Sequence, residues 1–152
     1  MIQGYFSTEA RRRRPFVDAV FRFSPRHDEF AVPLLVDTGA DRTILAPIDA
    51  LRLALELNID YADFEQGQPS TGVGGQTPTR IVETLLHIDS FETSLQLTIL
   101  EPPSSGKLPP IPSLLGRDVI SRFGLFIDER TDRVILLELE EVKSLSLSSP
   151  SP

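Results

Sequence analysis

Phe30-Ala31-Val32-Pro33-Leu34-Leu35-Val36 runs without a charged or hydroxyl side chain into Asp37-Thr38-Gly39-Ala40-Asp41. A nearly continuous apolar run of this length predicts a strand covered on both sides. Pro33 offers no N–H, so it marks an edge or a bulge within that strand. The run then ends on an acid, a hydroxyl and a glycine. This order predicts that Asp37 is held rigidly in a dry place at the strand's end. It predicts that Thr38 locks the loop by hydrogen bonding, and that Gly39 lets the main chain turn tightly and leaves room beside it. The tripeptide alone is common, and a plain turn after a core strand would explain it.

Two further stretches change its weight. Ser113-Leu114-Leu115-Gly116-Arg117-Asp118 is an apolar pair feeding Gly-Arg-Asp and then a helical pattern. Between the two lies Thr71-Gly72-Val73-Gly74-Gly75-Gln76, a glycine-rich stretch flanked by strand-forming residues.

Working outward, most of the chain alternates at a period of two. Phe16 to Phe23 places Val17, Ala19, Phe21 and Phe23 on one face, against Asp18 and Arg22 on the other. Arg80 to Ile88 and Ser94 to Leu100 predict two strands joined by residues 89–93, with Leu95, Leu97 and Ile99 on a shared face. Gly124 to Ile127 and Val134 to Leu139 predict a hairpin around the polar turn Glu129-Arg130-Thr131-Asp132. Two short helices interrupt the strands. Pro47 fits a first helical position, Ile48, Leu51 and Leu55 follow as a packing stripe, and Asn58 fits a left-handed cap. The second helix runs from Asp118 to Phe123 with Gly124 as its stop. The fold class is therefore all-β, a closed barrel-like sheet with one or two short helices. Residues 1–15 read as an N-terminal extension, 16–143 as the domain, and 144–152 as a Ser/Pro-rich disordered tail.

Composition excludes several chemistries. The chain of 152 residues has no cysteine, so disulfides, thiolate metal sites and cysteine nucleophiles are absent. His27 and His87 are its only histidines, too few for a three-histidine metal site. The first reads as part of a polar turn and the second as a half-buried strand residue. A net charge of -7 argues against a general nucleic-acid binder, despite the Arg11 to Arg14 run. No run approaches a membrane span and no signal peptide is evident, so a cytoplasmic location is expected. Glu138, Glu140 and Glu141 read as a solvated edge that discourages strand pairing.

The Asp37 run, the glycine-rich stretch and the Leu114-Leu115-Gly116-Arg117-Asp118 run, in this order, resemble the retropepsin-like aspartic proteases. The resemblance spans about Phe30 to Leu139. It implies an acid-protease barrel active as a symmetric homodimer on polypeptide substrates, without cofactor or metal. It implies Asp37, Thr38 and Gly39 as the catalytic triplet, with Thr38 bonding across the dimer. Gly39, Ala40, Asp41 and Arg42 would hold the substrate main chain. Thr71, Gly72, Val73, Gly74 and Gly75 would form a closing flap, with Val73 at its tip. Arg117, with Asp118 beside it, would brace the loop through Asp41. Arg42 stands where viral members often carry a second acid. The late hairpin replaces the viral ending, in which termini interleave across the dimer, so the dimer sheet is expected to use this hairpin.

The residues agree on one requirement. Aspartic protease chemistry needs two carboxylates sharing one proton, and this chain has a single Asp-Thr-Gly and no Asp-Ser-Gly. It is too short for a two-lobed enzyme, so only a second copy can supply the second acid. A different class of protein would keep the fold and a peptide groove as a non-catalytic binding or scaffold domain.

Overall fold

Alternating side chains roll the sheet of this protein into a barrel. Its computed structural model describes residues 1–8, 12–26, 28–72 and 75–147. Two strands at the N-terminus, β1 (Ile2–Gln3) and β2 (Tyr5–Phe6), are followed by β3 (Pro15–Phe23) and β4 (Asp28–Val36). Next come β5 (Ile44–Leu45), α1 (Pro47–Leu57), a 3-10 turn (Tyr61–Asp63) and β6 (Glu65–Gln66). The hairpin β7 (Ser70–Gly72) and β8 (Gly75–Thr77) precedes the long pair β9 (Thr79–Ile88) and β10 (Phe91–Leu100). The chain ends with β11 (Leu114–Leu115), α2 (Arg117–Ile120), β12 (Gly124–Asp128), β13 (Arg133–Leu137) and α3 (Leu139–Ser144).

Six strands close on themselves in the order β3-β4-β11-β5-β10-β9, with β9 returning to pair with β3. The barrel interior is filled by the inward members of each alternation. Phe21, Phe30, Leu34, Leu86, Leu97 and Ile99 are fully buried, and each large side chain so removed from water contributes about 1.5–3 kcal/mol. β11 inserts between β4 and β5, parallel to the first and antiparallel to the second. This insertion brings the Leu114-Leu115 run against the strand that leads to Asp37.

β4 departs from the expectation of a strand covered on both sides. Phe30, Val32, Leu34 and Val36 are buried, while Ala31 and Pro33 are exposed. Small Ala31 and Pro33 made an alternating strand look continuous. Pro33 costs no ladder bond. The Leu35 N–H donates to Ser113 O at 2.9 Å, on the side away from β3, and residue 33 faces the same way. There β11, which pairs only with Leu35 and Val36, has already ended.

α1 begins on Pro47 and stops at Asn58, whose φ of 54° is left-handed. The packing stripe differs from the predicted one. Leu55 is 86% exposed and Ile48 is also exposed. The helix instead buries Ala50 and Leu53 and packs Leu57 against the core, an equally valid helical spacing of three and four. The β9–β10 turn is also tighter than expected. Phe91 pairs with Ile88, leaving Asp89 (φ 52°) and Ser90 as a two-residue turn.

The two ends of the domain meet in a second sheet, ordered β1-β13-β12. Within the expected N-terminal extension, residues 2–6 contribute to the fold here, since Ile2 and Phe6 are buried and β2 extends β3. β13 stops at Leu137, short of the predicted Leu139, because a helix starts instead. Glu138 and Glu141 form a reciprocal capping box that opens α3, so these glutamates are a helix start and not a strand edge. Among the described residues the domain thus has three short α-helices where one or two were expected. Among the described residues, no helix is long and apolar enough to cross a membrane. His27, Arg11 and residues 148–152 of the expected tail lie outside the described residues.

Candidate functional site

Asp37 follows directly on β4, and its N–H donates to Leu115 O at 3.1 Å across to β11. The chain then turns sharply, with Ala40 N donating to Asp37 O at 3.2 Å. Gly39 N donates to Asp37 Oδ1 at 2.9 Å, which orients the carboxylate. A Cβ at Gly39 would sit 3.2 Å from that same oxygen, so glycine keeps the carboxylate uncrowded. Asp37 is half-buried, whereas Thr38, Gly39, Asp41 and Arg42 are exposed and Ala40 is half-buried. The dry setting expected for Asp37 is therefore not present in the single chain.

The loop is clamped from β11 and α2. Arg117 N donates to Ala40 O at 2.8 Å, and Asp118 N donates to Asp41 O at 3.2 Å. The Arg117 guanidinium pairs with the Asp41 carboxylate. That pair lies on the surface, with the side chains 60% and 77% exposed, so solvent screening limits it to about 0–1 kcal/mol. It is not a buried brace.

The buried brace is made by Thr43 and Asp118. Thr43 is fully buried. Its N–H donates to Asp118 Oδ2 at 2.9 Å and its hydroxyl to Asp118 Oδ1 at 2.8 Å. The same hydroxyl accepts from Gly116 N at 3.1 Å. A charged acceptor with two donors makes these strong bonds. Gly116 must be glycine here, because a Cβ would lie 2.3 Å from the carbonyl carbon of Arg42. Behind this, Ser113 Oγ donates to Asp49 Oδ2 at 2.6 Å and accepts from Ala46 N at 2.8 Å. Arg52 completes the cluster, donating to Asp49 Oδ1 at 2.8 Å while lying over the Phe30 ring.

Sequence reasoning named Asp118 but missed Thr43, Asp49 and the role of Ser113. Thr43 left only a faint mark, a hydroxyl directly before an apolar pair, Ile44-Leu45. Asp49 reads as an ordinary acid in a first helical turn, and nothing local announces its burial.

The glycine-rich stretch forms a hairpin. Ser70 pairs with Thr77, Thr71 with Gln76 and Gly72 with Gly75, which has φ 116°. Val73 and Gly74, the expected tip, lie outside the described residues. Among the described residues, β7 and β8 pair only with each other. The base is fixed. Thr79 Oγ1 donates to Gln68 O at 2.7 Å, and Gly67 N donates to Thr79 O at 3.0 Å. Thr71, Gly72 and Gly75 are exposed. The structure thus joins Asp37–Arg42 with Arg117 and Asp118 in one bonded cluster, and places Thr71, Gly72 and Gly75 on a separate two-stranded hairpin.

No protein-family model and no curated protein matches this chain. Solved structures do. A retropepsin-like aspartic protease from Rickettsia conorii is similar with a TM-score of 0.57 and 19% identity, covering 90% of this chain and 100% of that one. The EIAV protease, in complex with the inhibitor HBY-793, is similar with a TM-score of 0.50 and 20% identity, covering 76% of this chain and 92% of that one. The fold of this chain is retropepsin-like.

Proposed function

From this retropepsin-like fold, we propose that the chain is an aspartic endopeptidase that cleaves polypeptides as a symmetric homodimer. The supporting observation is the Asp37 carboxylate, set at the end of a barrel strand and oriented by the Gly39 N–H at 2.9 Å. Each chain supplies one such group, and the two-fold axis pairs it with its copy. The paired acids share one proton, because like charges about 3 Å apart do not both ionise. The ionised member takes a proton from a bound water, whose oxygen attacks the scissile carbonyl carbon. The protonated member gives its proton to the carbonyl oxygen. Breakdown of the resulting diol breaks the C–N bond, with a proton passing to the leaving nitrogen. No covalent enzyme intermediate and no cofactor is needed.

The remaining residues take supporting roles. Thr38, exposed in the single chain, bonds across the axis and locks the two loops. Gly39, Ala40 and Asp41 hold the substrate main chain, and Arg42 meets a side chain nearby. Arg117 and Asp118 hold the loop in shape. The 70–77 hairpin closes over the substrate and excludes water from the acids. Burial of Asp37 is then completed by dimer and substrate together.

The test is cleavage of an unbiased peptide mixture between about pH 4 and pH 7, an interval that brackets a shared-proton pair. Wild type is compared with Asp37→Asn, which changes one atom and removes the ionisable acid. Cleavage on the acid side of neutral by wild type alone is expected. Peptide binding without cleavage by either protein would support the scaffold reading instead, and equal cleavage by both would refute a role for Asp37.

A further inference from the structure

Hairpin β7–β8 joins the barrel through a narrow root, and one side chain holds that root from three directions. Arg80 is the second residue of β9, opposite Gln66 of β6 on one side and Ile99 of β10 on the other. Its Nε pairs with the Glu101 carboxylate. Its Nη1 donates to Phe64 O at 3.1 Å and to Ala62 O at 3.3 Å. Phe64 belongs to the leg that enters the hairpin, Arg80 to the leg that leaves it, and Glu101 to the start of the 101–113 loop. Glu101 is tied a second time, because its N–H donates to Pro78 O at 3.0 Å. The knot is anchored in the core, where the Phe64 ring stacks on buried Phe23 with centroids 6.2 Å apart. The Arg80 and Glu101 side chains are 25% and 22% exposed, so water screens this pair less than the surface pair of Arg117 and Asp41.

Just beyond the knot the ladder is interrupted. Gln66 pairs with Arg80, and the next registered pair is Ser70 with Thr77. The entering leg takes four steps between those pairs and the leaving leg three. The entering leg therefore holds one extra residue, a bulge that bends the strand. Pro69 and Pro78 lie in this interval, and neither has an N–H to give. Among the described residues, the last bonds between the legs before the hairpin proper are Gly67 N to Thr79 O at 3.0 Å and Thr79 Oγ1 to Gln68 O at 2.7 Å. Beside this joint a cavity of about 400 Å³ separates Gln76 and Thr77 of the arm from Pro102 and Pro103 of the loop, which leaves the arm space to swing. An arm built this way bends at 68–69 and 77–78, and its aim is set by what grips it below.

We infer that Arg80 is a positioning residue for the proposed reaction. It fixes the root of hairpin β7–β8 to the barrel and to the 101–113 loop at once, and so sets the fraction of molecules whose hairpin is aimed to hold substrate. This deepens the closing role given to the hairpin above and rests on that reading. Arginine suits the task because its planar fork carries five N–H donors and meets acceptors in several directions. A lysine ammonium on the same stem reaches the carboxylate or a carbonyl, not all three groups. Apparent affinity falls by the same factor as the binding-competent fraction, so loosening the root raises KM and leaves the chemistry of a correctly closed complex, read as kcat, nearly unchanged.

The test compares wild type with Arg80→Gln, Arg80→Lys and Glu101→Gln by amide hydrogen exchange and by peptide cleavage, well below the unfolding temperature. Arg22→Gln, which removes an exposed pair with Glu29, is the charge control. In Arg80→Gln, exchange across 64–72 and 75–81 and at the Glu101 N–H should speed up about tenfold or more, for the loss of at least one bond to a charged group. Exchange in β3 and β4 should match wild type. Cleavage by Arg80→Gln should show KM raised about tenfold and kcat changed less than twofold. Arg80→Lys and Glu101→Gln should fall between it and wild type, and Arg22→Gln should match wild type in both assays. Exchange that rises equally through the barrel would make Arg80 a support of the whole fold and overturn the inference. An unchanged root in Arg80→Gln, or a faster root with KM unchanged, would overturn it too. Should Arg80→Gln fail to fold, the lysine variant is judged by the same criteria. If no protein cleaves, wild type included, the protease reading fails on its own, and peptide affinity takes the place of KM in judging Arg80.

Discussion

Removing one hydroxyl should test whether the Thr43–Asp118 bonds hold the Asp37 loop in shape. Thr43→Val keeps the shape and volume of the side chain and deletes only the donor to Asp118 Oδ1 at 2.8 Å and the acceptor for Gly116 N at 3.1 Å. The first is a bond to a charged group, contributing about 1.5–3 kcal/mol, and the second leaves a buried N–H unpaired, costing about 1–3 kcal/mol. The two share one hydroxyl and are not fully additive, so about 3 kcal/mol is expected. For a domain of this size that lowers Tm by roughly 6–12 °C. Thr43→Ser is the control. It keeps the hydroxyl and loses a buried methyl, at about 1 kcal/mol. Urea denaturation of the three proteins reads both values. Thr43→Val should be the less stable variant by about 2 kcal/mol, and its peptide cleavage should fall as the loop loosens. A serine variant as unstable as the valine variant, or a valine variant within 0.5 kcal/mol of wild type, would refute this account of the brace.

Other perturbations reach different parts of the chain. Asn58, at φ 54°, should tolerate glycine with little change, whereas Asn58→Ala should cost about 1–2 kcal/mol by thermal melting. Side-chain hydrogen bonds from Arg130 and then Thr131 hold the Asp128 carboxyl below the usual aspartate range. The charged form therefore favours the fold above the unfolded-state value, and that contribution is lost as pH falls through the lower native value. A carboxyl NMR titration should find its midpoint below that of a model peptide, and a midpoint at or above it would contradict the turn geometry. Arg42 is exposed beside the loop and should make nearby substrate positions tolerant of Glu. Arg42→Asp should reverse this toward Lys in a peptide panel, and a Lys preference already present in wild type would count against the assignment.

The barrel was legible because its strands alternate cleanly. Phe16 to Phe23 carries its own inside and outside, and Pro47 and Asn58 bracket a helix by backbone chemistry alone. Errors arose where small residues blur a period, as at Ala31 and Pro33, or where two helical stripes compete. In α1 the exposed Ile48 and Leu55 outweigh Ala50 by hydrophobicity, yet tertiary packing buried Ala50 and Leu53. Of the candidate site, the Asp37 loop and its contact with residues 116–118 could be anticipated from motifs. Thr43 and Asp49 could not, because their importance comes from partners 75 and 64 residues away. A buried polar network of that kind exists only once β11 has slotted between β4 and β5.

The central claim is that two chains contribute one acid each to a single site. Wild type and Asp37→Asn can be mixed at constant total concentration and allowed to exchange subunits before assay. If only the dimer with two Asp37 side chains cleaves, activity follows the square of the wild-type fraction, and an equal mixture retains about one quarter of the activity of pure wild type. Activity that falls in direct proportion, to about one half, would mean that each chain works alone and would contradict the shared site.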